Sequence, residues 1–193
     1  MRLASILALL MTASGSSLCA GIDLQPSDDA FHAAVQRLTL PEQEVIGRGF
    51  GFKLIASDLA FTSTEKLPPG RVRKDTPTHV NIIEYIRYLG LLQTQGKEPR
   101  VKIKIARVFA GLTYDATTFH PLFKVQMEVD VPTVGVVVVT GFGSGPRCSR
   151  FSGGESLFSG GESLYAPRLV QSTNIAFMES LLKVLLSINS LGH

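Results

Sequence analysis

Hydrophobic and polar residues alternate along two long segments in the second half of the chain. In residues 100–108 the apolar Val101, Ile103 and Ile105 alternate with basic residues, and residues 122–131 show the same period with acidic and polar residues between. A period of two is typical of strands that have one face on a core and the other in water. We therefore predict two long, half-buried strands.

Antiparallel pairing of these two strands would account for their charged residues. A register that places Arg100 opposite Asp130 also places Lys102 opposite Glu128. Opposite charges on neighbouring strands attract each other by about 0.2–1 kcal/mol per pair. We therefore expect a solvated face of balanced charge rather than a cationic stripe for phosphate, glycan or lipid.

Further apolar segments complete the predicted sheet. Residues 134–140 form a continuous run of mostly β-branched residues, which is typical of a strand buried on both faces or paired at the centre of a sheet. Two shorter strands are predicted between Val45 and Thr64, where aromatic and aliphatic residues alternate with glycine and lysine. Together these segments give about five strands.

Three segments have the spacing of amphipathic helices. They cover residues 27–38, where Ser27 can cap the first turn and Pro41 is expected to end the segment, and residues 79–94 and 171–189. Strands that follow one another in runs, rather than in strict alternation with helices, favour an α+β fold. The chain is thus predicted to be an α+β protein in which a mostly antiparallel sheet of about five strands packs with three helices.

Residues 1–20 predict an N-terminal signal peptide. A positive start at Arg2 precedes an apolar run over residues 3–13, and small residues follow as far as Ala20. The run is shorter than the roughly 20 apolar residues that a membrane span needs. We expect cleavage near Ala20 and export of residues 21–193, as one domain without a transmembrane span, to the periplasm or the medium.

Two cysteines bear on this processing. Cleavage after Ala20 removes Cys19 and leaves Cys148 as the one remaining cysteine. The alternative is a lipid-anchored envelope protein with the lipid on Cys19, although Leu18 occupies a position where lipoproteins have a small residue. No histidine lies near Cys148 in the sequence to act as a base, so we expect an unreactive thiol there.

Residues 141–165 are rich in glycine and serine and predict a long surface loop. The heptapeptide FSGGESL of residues 151–157 is repeated without change at residues 158–164. Such a duplication is tolerated because doubling the length of a loop costs only about 0.6 kcal/mol. Glycines alternate with other residues over 141–145. The dinucleotide-binding motif G-x-G-x-x-G would need its third glycine at position 146, which is Pro146, and a helix after it. The segment therefore predicts a glycine-rich turn.

Composition and motifs assign no catalytic activity. The 193 residues are 45% hydrophobic and 18% charged with a formal charge of +3, which excludes a disordered chain and gives no sign of nucleic-acid binding. No serine stands in a G-x-S-x-G motif, and the four histidines are too dispersed for a recognisable metal site. We predict no catalytic residue, no metal and no cofactor.

The expected function is therefore binding. The basic residues Arg71, Arg73 and Lys74 lie in a proline-rich loop over residues 65–78, and the strand pairing above leaves them as the remaining basic group. We expect an exported, non-enzymatic protein that binds a protein partner or an anionic envelope component, or that supports an envelope assembly. These three side chains are its predicted docking site.

The alternative is a secreted hydrolase whose site is assembled from residues distant in sequence. Its candidate residues are Asp58, His79, His120 and Glu128. A pocket in which two or more of these side chains converge would favour the enzyme.

Overall fold

A curled, mostly antiparallel sheet carries one long helix across one of its faces. The computed structural model describes residues 22–56, 60–62, 78–92, 96–114, 118–149, 151–152, 155–156 and 167–192. These residues form both helices and strands, and the strands follow one another in runs. The predicted α+β fold is confirmed.

The strands are of very unequal length. In chain order they are β1 (Ile22–Leu24), β2 (Lys53–Ile55), β3 (Ala60–Thr62), β4 (Thr78–Val80), β5 (Arg100–Tyr114), β6 (Thr118–Val131), β7 (Gly135–Ser144), β8 (Cys148–Ser149), β9 (Phe151–Ser152) and β10 (Glu155–Ser156). The main sheet has the order β2-β5-β6-β7, in which β5, β6 and β7 are antiparallel neighbours. The short β2 and β3 both run parallel to β5, and β8 extends the pairing of β6 beyond the end of β7.

The structure describes four helices where the sequence predicted three. They are α1 (Asp28–Val35), α2 (Leu40–Arg48), α3 (Ile82–Tyr88) and α4 (Pro167–Leu191). The unexpected one is α2, because Pro41 was predicted to end a helix and instead lies in the first turn of the next. Proline is tolerated there since the first helical N–H groups need no partner within the helix. Thr39 and Glu42 close that turn, with the Thr39 N–H donating to Glu42 Oε2 at 2.8 Å.

The register of β5 with β6 differs from the predicted one. Lys102 lies opposite Asp130 rather than opposite Glu128, and the register then shifts between Ile103 and Ile105. Such a bulge adds one residue to one strand and reverses which side chains face the core. The alternation along β5 therefore breaks at Lys104, whose Nζ lies 3.6 Å from Asp130 Oδ2.

The position of β7 also corrects a prediction. The β-branched run of residues 134–140 was expected at the centre of a sheet or buried on both faces. Among the described strands, β7 pairs with β6 alone and forms an edge of the sheet. One of its faces is covered by α4, and its other face carries the exposed side chains of Val136, Val138 and Phe142.

Glycines set the distance between β7 and α4. Gly141 and Gly143 lie within β7 and Gly145 follows it, so these residues do not form the predicted turn. A Cβ atom at these three positions would overlap, respectively, the backbone carbonyl oxygens of Ser180, Ala176 and Ser172. Glycine therefore lets the backbone of the helix lie directly on the strand, and this contact fixes α4 across the inner face of the sheet.

Helix α4 is the centre of the hydrophobic core. Phe177 is fully buried, with its ring 4.7 Å from that of Tyr85 and 5.6 Å from that of Phe123. By length and composition α4 could cross a membrane, but two thirds of the stretch that meets this test lies inside the protein. That burial is typical of a core helix.

Candidate functional site

The predicted docking and lipidation residues lie outside the part of the chain that the structure describes. This holds for Arg71, Arg73 and Lys74, for Cys19, and for the hydrolase candidate Asp58. Binding at the basic group and lipid on Cys19 remain predictions from the sequence.

Two of the hydrolase candidates, His120 and Glu128, lie far apart. His120 and Glu128 both lie on β6, where their eight-residue separation corresponds to about 26 Å of strand. His79 belongs to β4, which pairs with β1 outside the main sheet. Burial lowers the pKa of His120, and the nearby positive charges of Arg147 and Arg37 lower it further.

Cys148 has the surroundings of a structural thiol. It is 8% exposed, and its Sγ lies 3.4 Å from the carbonyl oxygen of Arg168. Across the described ranges, no group of three histidine, cysteine or acidic side chains is placed to hold a metal ion.

A small apolar cavity lies at the C-terminal end of α4. It has a volume of about 60 Å³, and its lining includes Phe52, Val101, Val131 and Ile188. Sites for small molecules usually measure about 300–1,000 Å³. This cavity is therefore too small for a substrate or cofactor.

The most unusual surface of the described protein is the outer face of β7. Among the described residues six large hydrophobic side chains are exposed to solvent, and four of them belong to this strand or to the turn before it. These four are Val134 and Val136, each 50% exposed, and Val138 and Phe142, each 59% exposed. On the neighbouring β6 the residues that face the same way are polar, as Gln126, Glu128 and Asp130 show. Exposed apolar side chains thus form a row on this strand, whereas the other two among the described residues, Leu40 and Tyr88, belong to separate helices.

Among the described residues, no strand pairs with the outer edge of the β7 backbone. In an antiparallel pair, successive residues point their N–H and C=O groups alternately toward and away from the neighbouring strand. The Gly145 N–H donates to the Pro121 carbonyl oxygen at 2.9 Å, which assigns the odd-numbered residues to the bonds with β6. The even-numbered residues, from Val136 to Ser144, therefore direct their N–H and C=O groups away from the sheet.

A tight turn begins this free edge. The Val134 N–H donates to the Val131 carbonyl oxygen at 3.1 Å, and Gly135 follows with a φ of 88°. A positive φ after a three-residue hairpin loop favours glycine. The turn uses the N–H of Val134 and leaves its side chain exposed.

A charged cluster ends the free edge at the other side. Glu179 on α4 accepts hydrogen bonds from Lys183 Nζ at 2.7 Å, from Arg37 Nε at 2.9 Å and from the Ser144 N–H at 3.2 Å. Arg37 Nη2 also donates to Ser144 Oγ at 3.0 Å. The backbone N–H of Ser144 is thus bound by Glu179 of α4, and its side chain is bound by Arg37 from the segment between α1 and α2, so this N–H is not available to a further strand.

The electrostatics of this cluster favour a charged Glu179. Burial alone would raise the pKa of Glu179, but the hydrogen bonds from Lys183, Arg37 and Ser144 outweigh it and lower that pKa below its ordinary value. Two cations share one buried carboxylate, which leaves a net positive charge beside the end of β7.

We name the residues from Val134 to Phe142 the β7 edge.

One cation lies on the outer face beside the β7 edge. Lys124 Nζ lies 4.9 Å from the centre of the Phe109 ring and 5.9 Å from that of Phe142. Such contacts between an ammonium group and aromatic rings are favourable by about 0.5–1 kcal/mol at exposed sites. Phe142 is therefore held on the sheet although more than half of it is exposed.

The sequence analysis did not identify the β7 edge or the cluster that ends it. The valine run over residues 134–140 predicted a strand buried on both faces or paired at the centre of a sheet. Arg37 and Glu179 are 142 residues apart, and the i, i+4 spacing of Glu179 and Lys183 was the one local signal of their pairing.

Comparison with known proteins adds no relative to these observations. The chain matches no protein-family model, and a search of curated proteins finds no match either.

Proposed function

We propose that this is a non-enzymatic binding protein that docks an extended strand of a partner on the β7 edge. The observation that carries the proposal is the coincidence of a free strand edge with a row of exposed apolar side chains, from Val134 to Phe142. The proposal keeps the expected export to the periplasm or the medium, which the pattern of residues 1–20 supports.

The absence of protection supports a binding role for this edge. A free edge presents unpaired backbone groups to any other strand, and proteins usually block it with charges, proline or a bulge. From Pro132 to Pro146 the sequence contains no charged residue, and the strand itself contains no proline. A surface without such devices is typical of an edge that is covered by a partner.

Both parts of the edge would contribute to the binding of a strand. The outward N–H and C=O groups of Val136, Val138 and Thr140 would form a ladder of hydrogen bonds, which is independent of the partner's sequence. The valine side chains would pack against apolar residues of the added strand on the outer face. Partners with alternating β-branched or aromatic residues are therefore expected to bind best.

The test uses a synthetic peptide with the sequence of residues 134–144 and two added lysines at each end for solubility. We expect saturable binding in a fluorescence anisotropy titration. The Val138→Pro variant should bind at least about tenfold more weakly, because proline removes the central outward N–H and that donor contributes one hydrogen bond of the ladder.

A conservative control separates the edge from the fold. Val138→Thr keeps the N–H and the β-branched shape, so it should bind the peptide with an affinity close to that of the wild type. Circular dichroism should show that both variants are folded, because proline is tolerated on an edge strand where the N–H faces solvent. Equal binding by Val138→Pro and the wild type, or no binding by the wild type, would contradict the proposal.

A further inference from the structure

The strand that fits the β7 edge best is β7 of another copy. We propose that two copies of the chain pair antiparallel through their β7 edges, about a two-fold axis that passes between Val138 of one copy and Val138 of the partner subunit. This inference rests on the proposed function, because it names the partner of the same edge. The argument comes from where the edge begins and ends, from its lack of charge and from its apolar row.

The two ends of the edge define its centre. At the start, the N–H of Val134 is used by the turn, and at the end the N–H of Ser144 is bound to Glu179. The outward N–H groups between these limits belong to Val136, Val138, Thr140 and Phe142, while the exposed apolar side chains extend from Val134 to Phe142. Val138 lies at the midpoint of the apolar row from Val134 to Phe142.

Pairing about this midpoint uses the outward N–H and C=O groups of Val136, Val138 and Thr140 in both copies. Val138 lies opposite Val138 of the partner subunit, and Val136 lies opposite Thr140 of the partner subunit. Both are pairings in which residues exchange their N–H and C=O groups, because even-numbered residues of both copies face the new interface. A register with its axis at Thr140 would place Val136 opposite Ser144, whose N–H is already bound to Glu179.

The charge of the edge suits a second copy. In a symmetric pair every residue meets its own kind near the axis, so a charged strand would repel itself. No charged residue lies between Pro132 and Pro146, and the positive cluster at Arg37 lies beyond the end of the paired stretch. Self-pairing of β7 therefore brings no like charges into opposition.

The same register gathers the exposed apolar side chains. Val134 of one copy lies opposite Phe142 of the partner subunit, so the four exposed side chains of each copy form one continuous patch. Their mutual contact removes apolar surface from water, which is the main driving force of association. The sheet would then be continuous across both copies, with no free edge at β7.

The first experiment measures the monomer–dimer equilibrium by analytical ultracentrifugation. We expect a dimer that dissociates on dilution, and we expect Val138→Lys to raise its Kd by about 100-fold, because two lysines would face each other at the axis. Gln126→Lys is the matched control, since it places the same side chain on the same sheet face one strand away from the edge. Its Kd should equal that of the wild type.

The second experiment tests the register by disulfide formation in a Cys19→Ala, Cys148→Ala background. In the proposed dimer the two Cα atoms at position 138 are about 5.5 Å apart, within the range that a disulfide spans. Val138→Cys should therefore form a covalent dimer under mild oxidation. Val136→Cys should not, because its two copies lie about 13 Å apart along the strands.

The outcomes separate this inference from the proposed function. A monomer at all concentrations that still binds the strand peptide overturns the self-pairing and leaves the docking edge in place. A dimer that resists Val138→Lys, or that crosslinks at position 136 and not at position 138, overturns the proposed register. A monomer that binds no peptide overturns both proposals.

Discussion

Ser144 donates its backbone N–H to the Glu179 carboxylate at 3.2 Å, and this one hydrogen bond marks where the free edge of β7 ends. The bond joins the last residue of an edge strand to the helix that covers its inner face. A carboxylate oxygen thus occupies the position where a carbonyl oxygen of a further strand would otherwise accept. The core helix therefore sets where the unpaired edge of β7 ends among the described residues.

Loss of the Glu179 charge should destabilise the protein. Glu179→Gln leaves Arg37 and Lys183 without their shared carboxylate, in a place where the glutamate side chain is 6% exposed. We expect a decrease of about 1–3 kcal/mol in the free energy of unfolding, since the two cations remain partly solvated. Urea denaturation measures it.

The control for this variant is an exposed ion pair of the same type. Glu44 and Arg48 are joined at 3.1 Å, with side chains 68% and 75% exposed. Glu44→Gln should change the free energy of unfolding by no more than about 0.5 kcal/mol. Equal effects of the two variants would show that the Glu179 cluster does not stabilise the fold.

The same cluster predicts a dependence of stability on pH. Because the folded protein lowers the pKa of Glu179 below 4.5, its carboxylate stabilises the fold at neutral pH, and that stability is lost as the pH falls through the folded pKa. Urea denaturation of the wild type and Glu179→Gln, between about pH 6 and about pH 3, should show the two stabilities approaching each other in acid. A constant difference across this range would contradict the assignment.

Two glycine substitutions of opposite effect test the contact between β7 and α4. Gly143→Ala would force a Cβ into the backbone of Ala176, so we expect a loss of at least about 2 kcal/mol in the free energy of unfolding. Gly47→Ala lies within α2 with no atom near its added Cβ, and should be neutral or stabilise by up to about 1 kcal/mol. If Gly143→Ala is also neutral in thermal unfolding, the helix does not lie directly on the strand.

Two tyrosines that each donate one hydrogen bond provide a further comparison. Buried Tyr85 donates to Asn174 Oδ1 at 2.6 Å, whereas Tyr88, which is 37% exposed, donates to Asp28 Oδ1 at the same distance. Tyr85→Phe should cost about 1–2 kcal/mol of folding stability because the buried amide oxygen loses its donor. Tyr88→Phe should cost less than about 0.5 kcal/mol, since water replaces the hydroxyl. Chemical denaturation of both variants measures the two losses of folding stability. Equal losses would show that burial does not determine the strength of these hydrogen bonds.

Local patterns of hydrophobic and polar residues predicted those strands and helices that have one face buried. The alternation in β5 and β6 and the helical spacing in α4 reflect one buried face each, so the sequence was sufficient for them. It was insufficient at Lys104, because a bulge changes the register without changing residue types. The sequence was also insufficient at Pro41, because proline is common both beyond the end of a helix and in the first turn of one.

The candidate site was harder to predict because it depends on neighbours. A run of valines has the same local pattern at the centre of a sheet and at its edge, and only the absence of a second neighbour among the described strands distinguishes them. The cluster that ends the edge joins Arg37 to Glu179 across 142 residues. A local sequence motif cannot reveal a contact between two residues so far apart in the chain.

The most direct test of the account is amide hydrogen exchange along β7, measured residue by residue by NMR. At low protein concentration the N–H groups of Val136, Val138 and Thr140 should exchange rapidly, while those of Val137 and Val139, which bond to β6, should be protected. At high concentration, or with the strand peptide, the first three should become protected as well. Slow exchange of those three N–H groups in the dilute protein, or rapid exchange under every condition, would contradict the claim that β7 presents a free edge to a partner strand.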